Sequence, residues 1–142
     1  MATLLIIDDD NHVRETLYDL LSGVHECHTA DRAEQAIAYL EFETYDVVLT
    51  DISMPGMGGL EVLKRITERH PTTPVIVISG QVDAEKEALL KLGAFDFFSK
   101  PFLLEVIEDA VQRAIDYREA MKAGSAPAPD PAPDPAPDPA LE

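Results

Sequence analysis

The feature that most constrains this chain is a short apolar run at residues 47–49, followed by Asp51 and then by a loop rich in proline and glycine. A short apolar run of this kind predicts a buried strand. In a parallel α/β sheet, ligands bind at the carboxyl ends of the strands, so a carboxylate placed there lies at the mouth of a site rather than in the core. Four further polar residues follow other apolar runs in the same manner: Asp8, Asp9, Ser79 and Lys100.

Short apolar runs alternate along the chain with segments of helical periodicity. This pattern predicts a doubly wound α/β fold with a five-stranded parallel sheet. The predicted strands cover residues 4–7, 24–29, 47–49, 75–78 and 95–98. The second strand is partly polar, which suits the edge of a sheet better than its centre. The periodicity does not give the order of the strands.

Five helices are predicted between and after these strands. The first is capped by Asp10 or Asn11, and the second by Asp31 in a pattern that resembles a capping box. The fourth runs from Asp83 to a glycine stop at Gly93. The fifth carries apolar residues at helical spacing, which we expect to face inward: Leu103, Val106, Ile107, Ala110, Val111, Ala114 and Ile115.

Size, charge and cysteine content exclude several classes of protein. With 142 residues, 46% of them hydrophobic, the chain is long enough for one domain with a full core. The net charge of −16 disfavours direct binding to nucleic acid or to an anionic membrane. No apolar run approaches the length that spans a bilayer, and the first acidic cluster comes too early for a secretory signal. Cys27 is the single cysteine, so no internal disulfide can form, which agrees with a cytoplasmic location.

The composition changes abruptly at Gly124. The sequence Pro-Ala-Pro-Asp occurs three times between Pro127 and Asp138, and no side chain there could anchor a core. We therefore divide the chain into a folded domain at 1–123 and a Pro/Ala/Asp-rich, disordered tail or linker at 124–142. Both a single-domain protein with a tail and a domain cut from a longer protein fit this division.

The polar residues at the strand ends suit phosphoryl transfer. In a doubly wound sheet, the first and third strands lie side by side, which brings Asp8, Asp9 and Asp51 together. Like charges at close range are costly, so this cluster needs a counter-charge such as Mg²⁺ and the ammonium group of Lys100. With its charge neutralised, Asp51 can attack a phosphoryl donor and form an aspartyl-phosphate. The hydroxyl group of Ser79 can then hydrogen-bond the phosphoryl oxygens.

Simpler interpretations exist for several of these segments when each is taken alone. An acidic run such as residues 8–10 is most often a solvated helix cap, and its consecutive acids lack the spacing of an EF-hand loop. Residues 25–28 include two histidines and a cysteine, but no second pair of ligands follows, so we do not predict a zinc site. The loop at 56–59 lacks the lysine of a P-loop.

Four short motifs together resemble the receiver domain of bacterial two-component response regulators. They are Leu-Leu-Ile-Ile-Asp-Asp-Asp at 4–10, Leu-Thr-Asp-Ile-Ser-Met-Pro at 49–55, Val-Ile-Ser-Gly at 77–80 and Ser-Lys-Pro-Phe at 99–102. Each motif is weak alone, but the four in this order, one at each of four strand ends, are specific. The resemblance spans about residues 3–121, and residues 93–102 are most similar to receivers of the transcriptional-activator branch.

The resemblance implies a flavodoxin-like (βα)5 fold with strand order 2-1-3-4-5, and a cis peptide between Lys100 and Pro101. It also implies a role for each site residue. These are Asp51 as phosphoacceptor; Asp8, Asp9, Asp51 and the backbone carbonyl of Ser53 as ligands of Mg²⁺ (or Mn²⁺); Ser79 as the switch hydroxyl; Lys100 as the phosphate-sensing base; Phe97 as the rotating switch aromatic; and Ser53 and Gln81 as positions that tune the rate of dephosphorylation.

The implied function is a phosphorylation-operated signalling switch. A sensor histidine kinase, a phosphotransfer protein or a small phosphodonor would supply the phosphoryl group. The face formed by the fourth helix, fifth strand and fifth helix would then change its binding to an unidentified output protein or domain, or to a second copy of the chain in a phosphorylation-dependent homodimer. Apart from its own phosphorylation and dephosphorylation, such a domain catalyses no reaction.

Two alternatives are weighed against this function. A scaffold of the same fold could bind partners without phosphorylation, but degenerate receivers usually lose an acid or the lysine, and this chain keeps them all. A haloacid-dehalogenase-type phosphohydrolase also forms an aspartyl-phosphate. That family needs a second acid two residues after the nucleophile, and this chain has Ser53 there.

Overall fold

The computed structural model describes residues 2–51, 59–79 and 90–122. Its elements are β1 Thr3–Ile7, α1 Asn11–Leu21, β2 Glu26–Ala30, α2 Ala33–Phe42, β3 Val47–Thr50, α3 Gly59–Arg69, β4 Val75–Ser79, β5 Asp96–Ser99 and the C-terminal helix Leu104–Lys122. The predicted fourth helix from Asp83 lies outside the described residues except at its end, where residues 90 and 91 are helical.

The five strands form one parallel sheet in the order β2-β1-β3-β4-β5. This confirms the doubly wound α/β fold and the strand order that the resemblance implies, and it places the partly polar β2 at an edge, as predicted. Ile7 of β1 pairs with Thr50 of β3 at the last position of both strands. Because all five strands are parallel, their carboxyl ends meet at one end of the sheet.

The sheet separates two hydrophobic cores, because successive side chains of a strand point to opposite faces. Leu5 and Ile7 of β1 pack with residues of α2 and α3 on one face. Leu4 and Ile6 pack with residues of α1 and the C-terminal helix on the other. Every residue of β3 and β4 is buried, as expected of central strands that helices cover on both faces.

The first two helices begin in different ways. Asp10 is the N-cap of α1, and its side chain accepts hydrogen bonds from the N–H groups two and three residues later, which confirms the prediction. The capping box predicted at Asp31 is wrong, since the residue before α2 is Arg32, whose side chain makes no capping bond. The N–H group of Asp31 instead donates to the side-chain oxygen of Gln35 at 3.0 Å.

Gly93 stops the predicted fourth helix, as expected. Its φ of +111° lies in the region that favours glycine, and its N–H group donates to the carbonyl oxygen of Leu90 at 3.1 Å. A Cβ atom at this position would lie 2.5 Å from Cγ2 of Thr67 in α3. Both the backbone conformation and the available space therefore favour glycine here.

The C-terminal helix differs from the prediction in its first turn and at the residue just before it. Leu103 and Val106 are exposed by 68% and 38%, so their expected inward orientation is wrong. A helix of 19 residues is about 28 Å long, longer than strands of four or five residues, so it extends past the sheet that it packs on. Further along the helix, the buried residues are Ile107, Ala110, Val111, Ala114 and Arg118.

Among the described residues, no helix is both long and apolar enough to cross a membrane.

Candidate functional site

The pairing of β1 with β3 brings the predicted acids together. Asp8 and Asp51 each follow directly on the last paired residue of a strand, and the N–H group of Asp51 donates to the carbonyl oxygen of Ile7 at 2.9 Å. One carboxylate oxygen from each of Asp8, Asp9 and Asp51 lies within 4.8 Å of the others. Asp8 and Asp51 are buried, and Asp9 is exposed. The three acids therefore meet at the carboxyl end of the sheet, where the sequence placed them.

Lys100 reaches this group from the end of β5. Its Nζ atom lies 3.0 Å from Oδ2 of Asp8 and 3.4 Å from Oδ2 of Asp51. The backbone N–H group of Lys100 donates to the carbonyl oxygen of Ser79 at 2.8 Å, and the Lys100–Pro101 peptide is cis, as the resemblance implies. We call Asp8, Asp9, Asp51 and Lys100 the carboxyl-end cluster.

Burial and neighbouring groups shift the pKa values of two members of the carboxyl-end cluster. Burial raises the pKa of Asp8 above its usual value, and hydrogen bonds from the Asp10 N–H group and from Lys100 offset only part of this increase. Burial alone would lower the pKa of Lys100, but the hydrogen bond and charge of Asp8, together with the charge of Asp51, raise it above its usual value. The amine of Lys100 is therefore held in its charged form.

The donor set fits a hard divalent cation. Hard cations such as Mg²⁺ take oxygen ligands, carboxylates among them, and here three carboxylates lie together while the ammonium group of Lys100 contacts two of them. When ionised, the acids leave a local excess of negative charge, which a bound cation would neutralise. Asp8, Asp9 and Asp51 are thus the described residues that could hold Mg²⁺ or Mn²⁺.

Of the other predicted site residues, two are described by the structure and two are not. Ser79 is fully buried at the end of β4 and pairs with Ser99 of β5. Phe97 pairs with Val77 and packs in the core on the side of α2 and α3, with 5% exposure. Ser53 and Gln81 lie outside the described residues.

Sequence reasoning missed Arg14, which contacts the acidic segment from α1. Its Nη1 atom donates to the carbonyl oxygen of Asp8 at 2.8 Å, and its Nη2 atom donates to Oδ1 of Asn11. The only signal in the sequence is a single base in the first turn of a helix that follows three consecutive acids.

A second buried charge, Arg118, also went unpredicted. Its Nε atom donates to Oδ1 of Asp46 at 3.0 Å, and its Nη1 atom donates to the hydroxyl groups of Thr72 and Thr73 at 3.0 and 3.1 Å. We call these four residues the amino-end cluster, because Asp46 and the two threonines precede β3 and β4. The sequence did hold a signal: Arg118 follows Ala114 by four residues, on the apolar stripe of the helix.

A crevice of about 260 Å³ lies between α2 and α3 and is lined by Ile37, Leu40, Glu41, Arg65, Arg69 and His70. No residue of the carboxyl-end cluster lines it, so it is separate from the candidate site.

Solved structures share this fold. NtrX from Brucella abortus matches with a TM-score of 0.82 and 31% identity, covering 87% of this chain and 29% of that chain. A response regulator receiver domain protein from Clostridium thermocellum matches with a TM-score of 0.78 and 28% identity, covering 85% of this chain and 99% of that chain.

Curated relatives point to the same family. The DNA-binding transcriptional regulator NtrC of Klebsiella pneumoniae is 38% identical over 125 residues, which cover 86% of this chain and 27% of that protein. The response regulator protein FleR of Pseudomonas aeruginosa is 40% identical over 115 residues, which cover 79% of this chain and 24% of that protein. The chain thus spans about a quarter of the length of these relatives. Residues 4–112 match the response regulator receiver domain, so the chain belongs to the receiver-domain family of two-component response regulators, and its relatives are those of the transcriptional-activator branch.

Proposed function

We propose that this chain is a phosphorylation-operated signalling switch in which Asp51 accepts a phosphoryl group with the help of Mg²⁺. The observation that carries the proposal is the cluster of the Asp8, Asp9 and Asp51 carboxylates, two of which, Asp8 and Asp51, contact the ammonium group of Lys100. Like charges held at close range are costly to the folded state unless a counter-charge offsets them. The surplus of acids here is what a cation site requires.

Asp51 suits the role of nucleophile because it is fixed at the end of a central strand and is close to a base that stays charged. Its Oδ2 atom lies 3.4 Å from Nζ of Lys100. In the reaction, a carboxylate oxygen of Asp51 attacks the phosphorus atom of the donor while the bond from phosphorus to the leaving group breaks. The leaving group is the imidazole of a phosphohistidine, on a sensor histidine kinase or a phosphotransfer protein, or the carboxylate of a small acyl phosphate.

The metal ion would be held by Asp8, Asp9, Asp51 and the backbone carbonyl of Ser53. When bound, Mg²⁺ (or Mn²⁺) neutralises the carboxylates and the charge that develops on the phosphoryl oxygens. Lys100 adds a second positive charge. Its contacts with Asp8 and Asp51 hold it beside the reacting carboxylate before a donor arrives.

The phosphorylated state would be sensed at the ends of β4 and β5. Phosphorylation places new acceptor oxygens on Asp51, to which the hydroxyl group of Ser79 and the amine of Lys100 can donate. The backbone bond between Lys100 and Ser79 joins these two residues. Phe97 is the aromatic side chain that would rotate between the two states, while Ser53 and Gln81 would set the lifetime of the phosphoryl group.

The output surface would be the face formed by the predicted fourth helix, β5 and the C-terminal helix. Exposed large apolar side chains come from the segments around this face: Leu90, Leu92, Leu103, Leu104 and Val106. Where exposed apolar side chains form a contiguous patch, they mark sites of contact with other proteins. This surface would therefore bind the output protein or domain, or a second copy of the chain. In this arrangement residues 1–123 are the receiver, and residues 124–142 are a tail or linker.

The test is the intact mass of the protein after incubation with Mg²⁺ and acetyl phosphate. We expect one added phosphoryl group on the parent and none on Asp51→Asn. Asp109→Asn is a matched control, because Asp109 is exposed on the C-terminal helix and pairs there with Arg113. This control should be labelled like the parent.

Beryllofluoride, a stable mimic of the phosphoryl group, provides a second arm of the same test. With Mg²⁺ present, it should shift the backbone NMR signals of Ser79 and Phe97 in the parent and leave Asp51→Asn unchanged. If neither reagent modifies the parent, the switch is contradicted and the phosphorylation-independent scaffold is the better function.

A further inference from the structure

We infer that Arg14 is a positioning residue of the proposed metal site, which holds the segment from Asp8 to Asn11 in the shape that presents the carboxylates of Asp8 and Asp9 to a cation. This inference rests on the proposed function. It adds a residue that lies on α1, outside the acids and the lysine that would touch the metal or the phosphoryl group.

The contacts of Arg14 span the acidic segment from one end to the other. The half-buried side chain donates from Nη1 to the carbonyl oxygen of Asp8 at 2.8 Å, and from Nη2 to the side-chain oxygen of Asn11. A guanidinium group is planar and its donors have fixed directions. Two bonds from its two terminal nitrogens therefore fix the distance between the backbone of Asp8 and the side chain of Asn11.

The orientation of the Asp8 carboxylate depends on the shape of this segment. The N–H group of Asp10 donates to Oδ1 of Asp8 at 2.9 Å, and Nζ of Lys100 lies 3.0 Å from Oδ2. The first of these bonds exists only if the backbone between the two residues keeps its turn. Arg14 supports that turn from outside by its bond to the Asp8 carbonyl group. Partners that orient metal ligands in this way commonly control metal affinity.

The direction in which Mg²⁺ affinity changes on mutation of Arg14 distinguishes a positioning role from a purely electrostatic one. Arg14 is a cation beside a cluster that attracts cations, so its charge alone would repel Mg²⁺, and removal of the charge would tighten binding. Loss of positioning has the opposite effect. Arg14→Lys keeps the charge but loses the planar pair of donors, so positioning predicts weaker Mg²⁺ binding for Arg14→Lys as well as for Arg14→Gln.

The experiment is a Mg²⁺ titration of the parent, Arg14→Gln and Arg14→Lys, followed by calorimetry and by backbone NMR shifts. We expect Kd to rise about tenfold in both variants, the lower end of the range for residues that orient metal ligands. Arg65→Gln is the matched control for the lost charge. Arg65 lies on α3, where it forms a 3.7 Å ion pair with Glu61, and it is not part of the carboxyl-end cluster, so the Kd of Arg65→Gln for Mg²⁺ should match that of the parent.

A readout in the metal-free protein tests the mechanism directly. If Arg14 holds the turn, the amide hydrogen of Asp10 should exchange with solvent faster in both Arg14 variants, while amides in the middle of β4 keep their parent rates. The thermal midpoints of the variants identify any general loss of stability. If Arg14→Gln does not fold, Arg14→Lys and the exchange rate at Asp10 decide the question.

The outcomes separate the inference from the function on which it rests. If the parent binds Mg²⁺ and the Arg14 variants bind it equally well or more tightly, the role of Arg14 is overturned and the proposed function stands. An unchanged exchange rate at Asp10 in both variants also overturns it. If the parent itself does not bind Mg²⁺, both the metal site and the inference fail, and Asp51→Asn in the phosphorylation assay shows whether the switch fails with them.

Discussion

Two clusters of charged side chains lie at opposite ends of one sheet, and they differ in how their charges are balanced. In the amino-end cluster, Arg118 pairs with one carboxylate, Asp46, and its other side-chain hydrogen bonds within the described part of the chain go to the neutral hydroxyl groups of two threonines. In the carboxyl-end cluster, three carboxylates lie together, and the ammonium group of Lys100 contacts two of them. Buried charge is present at both ends, so burial alone does not distinguish a functional site from a structural ion pair. The balance of charge does distinguish them.

The largest effect on stability should come from breaking the amino-end cluster, in which one base pairs with one acid. Arg118→Met leaves the Asp46 carboxylate without the base that holds it at 3.0 Å. Because removal of one partner of a buried pair leaves a charge uncompensated, we expect the free energy of unfolding to fall by about 3 kcal/mol, measured by urea denaturation. Mg²⁺ affinity should not change.

Two further variants show whether this loss of unfolding free energy arises from the ion pair of the amino-end cluster. Arg113→Met removes an exposed base that pairs with Asp96 and Asp109, and it should cost less than about 1 kcal/mol. Replacing Asp46 by Asn in the Arg118→Met background should recover part of the stability, because the uncompensated charge is then removed. If Arg118→Met loses no more unfolding free energy than Arg113→Met, the pair of Arg118 with Asp46 stabilises the protein no more than an exposed ion pair does.

A smaller effect of opposite sign is expected at the carboxyl-end cluster. Asp51→Asn removes one of three like charges, so in metal-free buffer the free energy of unfolding should rise by roughly 1 kcal/mol, after allowance for the lost contact with Lys100. Asp46→Asn should instead lower it, since that acid is paired with a single base. Urea denaturation in the presence of EDTA measures both. Destabilisation by Asp51→Asn would contradict the idea of a charge surplus.

The smallest effect concerns pH. Burial raises the pKa of Asp8 in the folded protein above its value in the unfolded chain, so the folded state binds a proton more readily. The ionised form of Asp8 therefore costs stability above the folded pKa, and this cost disappears as the pH falls through that pKa towards the unfolded value. Without metal, the difference in unfolding free energy between Asp8→Asn and the parent should be largest near pH 7 and shrink towards pH 4. If this difference in unfolding free energy does not change between pH 7 and pH 4, the raised pKa of Asp8 is contradicted.

The parts of the molecule that the sequence predicted are those that depend on local pattern. The apolar runs at 47–49 and 75–78 correspond to β3 and β4, because short apolar runs in a chain of this size are central strands. Asp8, Asp51 and Lys100 directly follow the strands that such runs form, so their meeting at one end of the sheet was predictable once the strands were parallel. The order of the strands came only from the resemblance, since pairing is not encoded in periodicity.

The parts that the sequence did not predict depend on contacts between distant residues. Arg118 and Asp46 are 72 positions apart, and neither residue has a local pattern that names the other. Leu103 was misplaced because apolar residues are not always buried, and the length of the helix relative to the sheet is a property of the packed molecule. Asp31 fits the capping pattern by composition, but the helix begins one residue later than that pattern requires.

The strand order also has a consequence for mechanics. Lys100 directly follows the edge strand β5, yet its ammonium group contacts acids that follow β1 and β3. β5 has one hydrogen-bonded neighbour, whereas β1 and β3 each have two. Segments with fewer bonds to the rest of a protein open at lower cost. The acids that would be phosphorylated or bind the metal thus follow rigid central strands, whereas Lys100 follows an edge strand that can move at lower cost. The side chain of Lys100 links the movement of this edge to the state of the acids.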